Sequence, residues 1–302
     1  MKTQIPEQLK ADVPMTTMGK LLLVTPVVMT VIATLLAGLA SSEMTRAQYD
    51  RAYAAQLQSK AGDQWNYFQA KKLRSAIQRN SIDLLEATAE IHPLNPATLE
   101  TAGGPLDTAT RDALVNGALP ALPAAPEPDA GVKAALAAVE SAKPEMEIAA
   151  ALGNVGDATL ATVLKSARDN ASAFDAATKP VNQAIDKLEL LFEKAFAGSD
   201  RAAIRDFTAA RIRYSAARYD AEARLNQAVA YVLELQVRKN NISAERHHKR
   251  SGKFFFGMLA AQAAVVVSTF SLAAQKRNFL WSVAAVAGLL AIAFAVYVFL
   301  YI

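Results

Sequence analysis

The stretch Ala244–Val267, "AERHHKRSGKFFFGMLAAQAAVVV", changes character at Phe254. Before that residue nearly every side chain is charged or polar, and after it nearly none is. A basic cluster abutting an uncharged run is how a chain enters a bilayer. Cationic side chains stay with the headgroups while apolar ones cross the hydrocarbon. The uncharged run continues to Ala274, and another occupies Phe279–Ile302. Only "QKRN" (275–278) separates the two, which predicts a tight helical hairpin.

A third run lies near the amino terminus, at Leu21–Ala40, "LLLVTPVVMTVIATLLAGLA". Its length suits the roughly 30 Å of hydrocarbon that a helix rising 1.5 Å per residue must cross. Eleven of its residues are Leu, Ile or Val. At about −0.3 to −0.6 kcal/mol each near the helix centre, they outweigh the Thr, Gly and Pro26 positions. A cleaved signal peptide is the competing reading, because "GLASS" offers small residues around Ala40. The run exceeds the roughly 7–15-residue core of a signal, and its leader is long and partly acidic, which favours a retained anchor. For the other two runs the alternative is a buried soluble hairpin, but adjacent uncharged runs of this length are rare in globular cores.

Composition fits this picture. Of 302 residues, 52% are apolar, and they cluster. A net charge of +4 does not demand nucleic acid as a partner, and the basic residues lack interleaved aromatics. With no cysteine, disulfides, thiolate metal sites and cysteine catalysis are excluded. Inside the spans no residue is charged, which argues against a pump or proton relay. Gly257 with Ala261, and Ala284 with Gly288, form small-xxx-small pairs that would let helices approach closely. They also read as ordinary small residues of an Ala-rich span.

The expected fold is therefore all-α. It has a tail (1–20), a first span (21–40), an extramembrane helical region (41–252), a second span (253–274), a turn (275–278) and a third span (279–302). No proline interrupts Ser41–Ile91, which predicts helix there. Eight of the twelve prolines fall between Pro93 and Pro144, marking 91–145 as a Pro/Ala-rich loop or insertion. Helices are expected again at 132–152, 158–178 and 180–197. Ser199 or Asp200 is placed to cap the next helix. From Arg201 the chain repeats apolar residues in steps of three and four: Ile204, Phe207, Tyr214, Ala221, Leu225, Ala228, Val232 and Leu235, interrupted by Arg211 and Arg218. This coiled-coil-like seam suggests an oligomer contact. Nothing up to Ala274 forces a break except Gly252, so one long helix should run into the second span.

Arg246, His247, His248, Lys249, Arg250 and Lys253 precede that span, and Lys276 and Arg277 lie in the turn. They read as a topology signal and as contacts for anionic headgroups. The count of basic residues near the span ends leans towards a cytoplasmic helical region. Against this, long domains cross membranes largely regardless of charge, and the turn itself is positive. Adjacent helical histidines point about 100° apart and cannot chelate one ion together. Glu245 and His248 stand at i, i+3, but a di-iron bundle needs a second such motif and two further glutamates. No metal or cofactor site is expected.

"GDQWNYFQAKKLRSAI" at Gly62–Ile77 concentrates aromatics. It starts roughly 22 residues past the first span, about 30 Å if helical, too far for an interfacial belt and more suited to packing. No nucleotide-binding loop, zinc-protease pair or nucleophile elbow occurs, so catalytic residues are not expected.

This motif after a first span, followed late in the chain by "ERHHKR", a span, and "QKRNFLW" before a last span, resembles an uncharacterised bacterial three-span membrane-protein family, domain of unknown function 4337. The resemblance covers the two ends of the chain, the middle resembling an enlargement. It implies the three-span architecture and no activity. It makes Asp63, Gln64, Trp65, Tyr67, Gln69 and Lys71 positions of interest for packing.

Several functions remain in competition. The first is a self-associating structural or scaffold protein whose partners are the lipid bilayer and other copies of itself. The second is a sensor or regulatory subunit acting through an unidentified protein partner. The third is a component of an oligomeric channel or transporter, and an enzyme ranks last.

Overall fold

The long proline-free stretch after the first span folds as expected. In the computed structural model, helix α1 covers Thr17–Thr88 without a break. The structure describes residues 17–121, 127–196, 198–273 and 277–301. Among them are eight helices and no strand: α1, α2 (Pro96–Gly103), α3 (Thr108–Asn116), α4 (Ala130–Glu140), α5 (Glu145–Gly153), α6 (Asp157–Phe196), α7 (Arg201–Ala273) and α8 (Arg277–Tyr301). Three of them, α1, α7 and α8, are long and apolar enough to cross a membrane. The chain is a membrane protein of all-α class, and α7 is the single long helix the sequence implied. Asp200 caps it, its carboxylate accepting from the amides of Ala202 and Ala203 at 3.0 Å each.

The chain divides into two compact units, Met1–Tyr53 with Asn240–Ile302, and Ala54–Lys239. The first holds the spans. Its interior joins Ala33, Leu36 and Ala40 of α1, Phe254 and Ala261 of α7, and Ala291 and Val298 of α8. The small residues serve close approach within the chain. A Cβ on Gly257 would lie 3.4 Å from Leu36 Cδ1, and one on Gly288 would lie 2.2 Å from Met29 Cε. Span hydroxyls are satisfied locally: Thr30 and Thr34 donate to carbonyls one turn back at 2.8 and 2.9 Å, removing the cost of a bare hydroxyl in hydrocarbon. Trp281 donates from Nε1 to Thr25 Oγ1 at 2.9 Å.

The second unit has two apolar cores. One gathers Leu94, Leu99 and Leu114 with Val181, Ile185, Leu188 and Phe192 of α6 and Phe207 and Tyr214 of α7. Phe192 and Phe207 stack there at 4.4 Å between ring centres. The other gathers Ala54, Leu57 and Ala61 of α1, Leu164 of α6, and Val229, Val232, Leu233 and Val237 of α7.

Three expectations need correcting. The Pro/Ala-rich segment is not simply a loop. Asn95 caps α2 by accepting from Ala97 N, and Asp107 caps α3 by accepting from Thr110 N, each at 2.9 Å. Both helices send leucines into the first core, Leu99 from α2 and Leu114 from α3. The helix expected at 132–152 splits into α4 and α5, because Pro144 cannot donate and disfavours helix at Lys143. Conversely, 158–178 and 180–197 form one helix, α6, with Pro180 inside it. The missing Pro180 donor is tolerated because apolar residues on both flanks, Phe174 to Val181 and beyond, keep one buried stripe.

Candidate functional site

Between the two cores of the second unit, α7 changes from apolar to charged. Arg218 and Glu222 are one turn apart, and Arg218 Nη1 donates to Glu222 Oε1 at 2.8 Å. Lys71 of α1 pairs with the other oxygen of Glu222, whose side chain is almost wholly buried. A buried carboxylate of this kind is tolerable only with both oxygens engaged. The ring of Tyr219 lies 4.3 Å from the Arg218 guanidinium and 5.4 Å from Lys71 Nζ. One residue on, Asp220 accepts from Lys72 at 2.6 Å and pairs with Arg224 at 2.7 Å. The Lys72 hydrogen bond, supported by the charges of Lys72, Arg224 and Arg79, holds the Asp220 carboxyl below its usual value against the effect of burial. Asp175 of α6 moves the other way: burial raises it first, and Glu222 adds to the rise.

This ionic belt borders a cleft of about 280 Å³ lined by Gln64, Tyr67, Lys71, Asp175, Glu222 and Asn226. Beside it, Trp65 donates from Nε1 to Glu234 Oε1 at 2.8 Å. Its ring meets Tyr231 and Phe68 edge-on, at 5.1 and 5.5 Å between centres. A larger cleft of about 580 Å³ has an apolar wall that includes Leu136, Val163, Leu225 and Val232.

The motif residues thus divide. Gln64, Tyr67 and Lys71 line the cleft and Trp65 bonds Glu234, whereas Asp63 and Gln69 are exposed and do not line the cleft. Residues of the proposed oligomer seam are largely consumed inside the chain: Phe207, Tyr214, Val232 and Leu235 are buried, and Ile204 and Leu225 are half-buried. Phe207 and Tyr214 pack with α6 in the first core, and Val232 with α1 and α6 in the second. Reading the sequence missed Glu222, Glu234, Asp220 and Asp175. The Arg218–Glu222 spacing of four was the available signal.

At the basic cluster of the first unit, Arg246, His248 and Lys249 are exposed, and Arg250 and Lys253 are half-buried. His247 Nδ1 lies 2.6 Å from Glu43 Oε2, a contact between α7 and α1 that the sequence did not suggest. Glu245, considered above beside His248, instead reaches Arg51 at 3.8 Å and Lys249 at 3.5 Å. Lys276 and the side chain of Arg277 lie outside the described residues.

Residues 21–107 match the family described as Domain of unknown function (DUF4337). The matched segment contains the first span, the whole "GDQWNYFQAKKLRSAI" motif, Lys71 and helix α2. It extends into the part of the chain read as an enlargement, and the carboxy-terminal features of the resemblance lie outside it. No curated protein and no solved structure matches the chain.

Proposed function

We propose that this chain is a non-catalytic multi-pass protein of the bacterial inner membrane whose helical unit lies in the cytoplasm and mediates self-association. The observation that carries this reading is an unpartnered apolar stripe on α1. Leu73, Ile77 and Leu84 stand on one face of the helix and are 63%, 51% and 65% exposed. Single exposed leucines are ordinary, but a stripe of them marks a contact surface. This stripe takes the place of the α7 seam, whose side chains are already used.

The test is the mass of the detergent-solubilised full chain. Wild type should be oligomeric, and L73D/I77D should shift it towards monomer with its helicity intact. A monomeric wild type refutes self-association. Sidedness has its own measurement, helped by the absence of cysteine. A cysteine at exposed Lys165 should resist a membrane-impermeant maleimide in intact cells and react after lysis.

The clefts in the helical unit favour a second reading, a sensor or regulatory subunit that passes a signal to a protein partner. Co-purification that returns the chain alone would count against it.

A further inference from the structure

The second core of the helical unit is incomplete on one side. Leu136, Val163 and Ala167 pack against it but stay half-buried, and all three line the cleft of about 580 Å³. Leu225 and Val232 of α7 continue the same wall. The cleft is thus a bite out of that core, and its volume falls within the roughly 300–1,000 Å³ of small-molecule sites. Apolar surface facing an unfilled space of this size forgoes the contacts that close packing supplies elsewhere in a core.

Charge selects the occupant. Glu127, Asp129 and Glu140 line the cleft and are exposed, which puts them at its open rim, and no lysine or arginine lines it. Glu127 pairs with Lys133 at 2.9 Å, and Asp129 caps α4 by accepting from Gly131 N at 2.8 Å. Glu140 makes no ion pair or hydrogen bond through its side chain among the described residues. It ends α4, where the helix dipole disfavours a carboxylate. Arg224 shares an adjoining cleft with Glu140 and Tyr231, but its guanidinium pairs with Asp220 at 2.7 Å. Tyr231 borders both clefts, its ring held at a right angle to that of Trp65. An aromatic surface beside a free carboxylate favours a cation over an anion or a neutral molecule.

We infer that this cleft binds a lipophilic organic cation, its apolar body against Leu136, Val163, Leu225 and Val232 and its positive centre beside Glu140 and Tyr231. The site lies within one chain, so it goes beyond self-association and does not depend on it.

Equilibrium dialysis of the full chain in lipid nanodiscs tests it, with tetraphenylphosphonium as the probe, its isosteric anion tetraphenylborate as the control, and empty nanodiscs as the blank. Tetraphenylphosphonium should bind above the blank and saturate at one per chain, and tetraphenylborate should not. A228W fills the cleft from an exposed position on α7 and should abolish binding with helicity and melting temperature intact. E140Q should weaken binding about 3–5-fold, the size of one partly exposed charge pair. Because Glu140 faces solvent, E140Q decides the matter even if A228W misfolds. E193Q, which removes an exposed carboxylate away from the cleft, should bind as wild type does, and so should L73D/I77D. Absence of saturable binding above the blank overturns the inference. So does equal binding of tetraphenylborate, full binding by a folded A228W, unchanged affinity in E140Q, or an equal loss in E193Q. Loss of binding in L73D/I77D would overturn a site held within one chain.

Discussion

Trp65 donates its indole N–H to Glu234 across 169 residues of chain, joining the family-matched stretch of α1 to α7 at 2.8 Å. Replacing Glu234 with Ala leaves a half-buried indole N–H without its acceptor. E234A should lose about 1–2 kcal/mol, read as a lower melting temperature by far-ultraviolet dichroism. E234Q, which keeps an acceptor oxygen, should lose less. Equal losses in the two variants would show that the hydrogen bond contributes nothing.

Glu222 is the keystone of the belt, 5% exposed and bound by Lys71 and Arg218. Truncating it strands two cations in a desolvated place. E222A should cost about 3–5 kcal/mol. The double variant K71A/E222A should recover part of that loss, because one stranded cation is removed with its partner. A double variant as unstable as the sum of the single ones would show the pair to be uncoupled.

Acid should act on the helical unit through Asp220. Its folded pKa is depressed chiefly by the Lys72 hydrogen bond, so the unfolded chain takes the proton more readily. The resulting stability is complete above the unfolded value, near 3.8, and is lost as pH falls through the lower folded value. Asp107, lowered by its bonds to Thr110, has the same sign. D220N should therefore flatten the acid limb of a stability–pH curve. An unchanged limb would remove Asp220 from the account.

Asp175 has the opposite sign. Its pKa is raised by burial, so its ionisation opposes folding. The stability it contributes is present below the unfolded value and is lost as pH rises through the raised folded one. D175N should be more stable than wild type at neutral pH and gain nothing in acid. Destabilisation at neutral pH would mean that its charge serves the belt.

Between α8 and α1, Gly288 leaves room for the thioether of Met29. G288L should destabilise the membrane unit by about 1–3 kcal/mol through overpacking. Adding M29A should restore much of the loss. A lasting defect in G288L/M29A would place the constraint elsewhere.

Spans and long helices were legible because lipid imposes a coarse rule: about 20 apolar residues and no charge. The capped helices of the proline-rich segment were legible in principle, in Asn95–Pro96 and Asp107, but proline count masked cap chemistry. Burial partners were not legible. The periodic stripe of α7 has the same pattern whether it meets another chain or α6, and only the fold shows that Phe207 stacks on Phe192. Pairings such as Lys71–Glu222 and His247–Glu43 join residues far apart in sequence, and no local spacing announces them.

Pro180 falls where α6 passes from one core to the other, Leu164 lying in one and Val181 in the next. The charged turn of α7 falls between the same two cores. The water-facing half of the protein is thus two oily lobes with a salt-lined waist, not one continuous hydrophobic mass. Such a body should loosen at its middle before either lobe melts. Amide exchange around Asp175 and Glu222 should then outpace exchange beside Phe192 and Leu233.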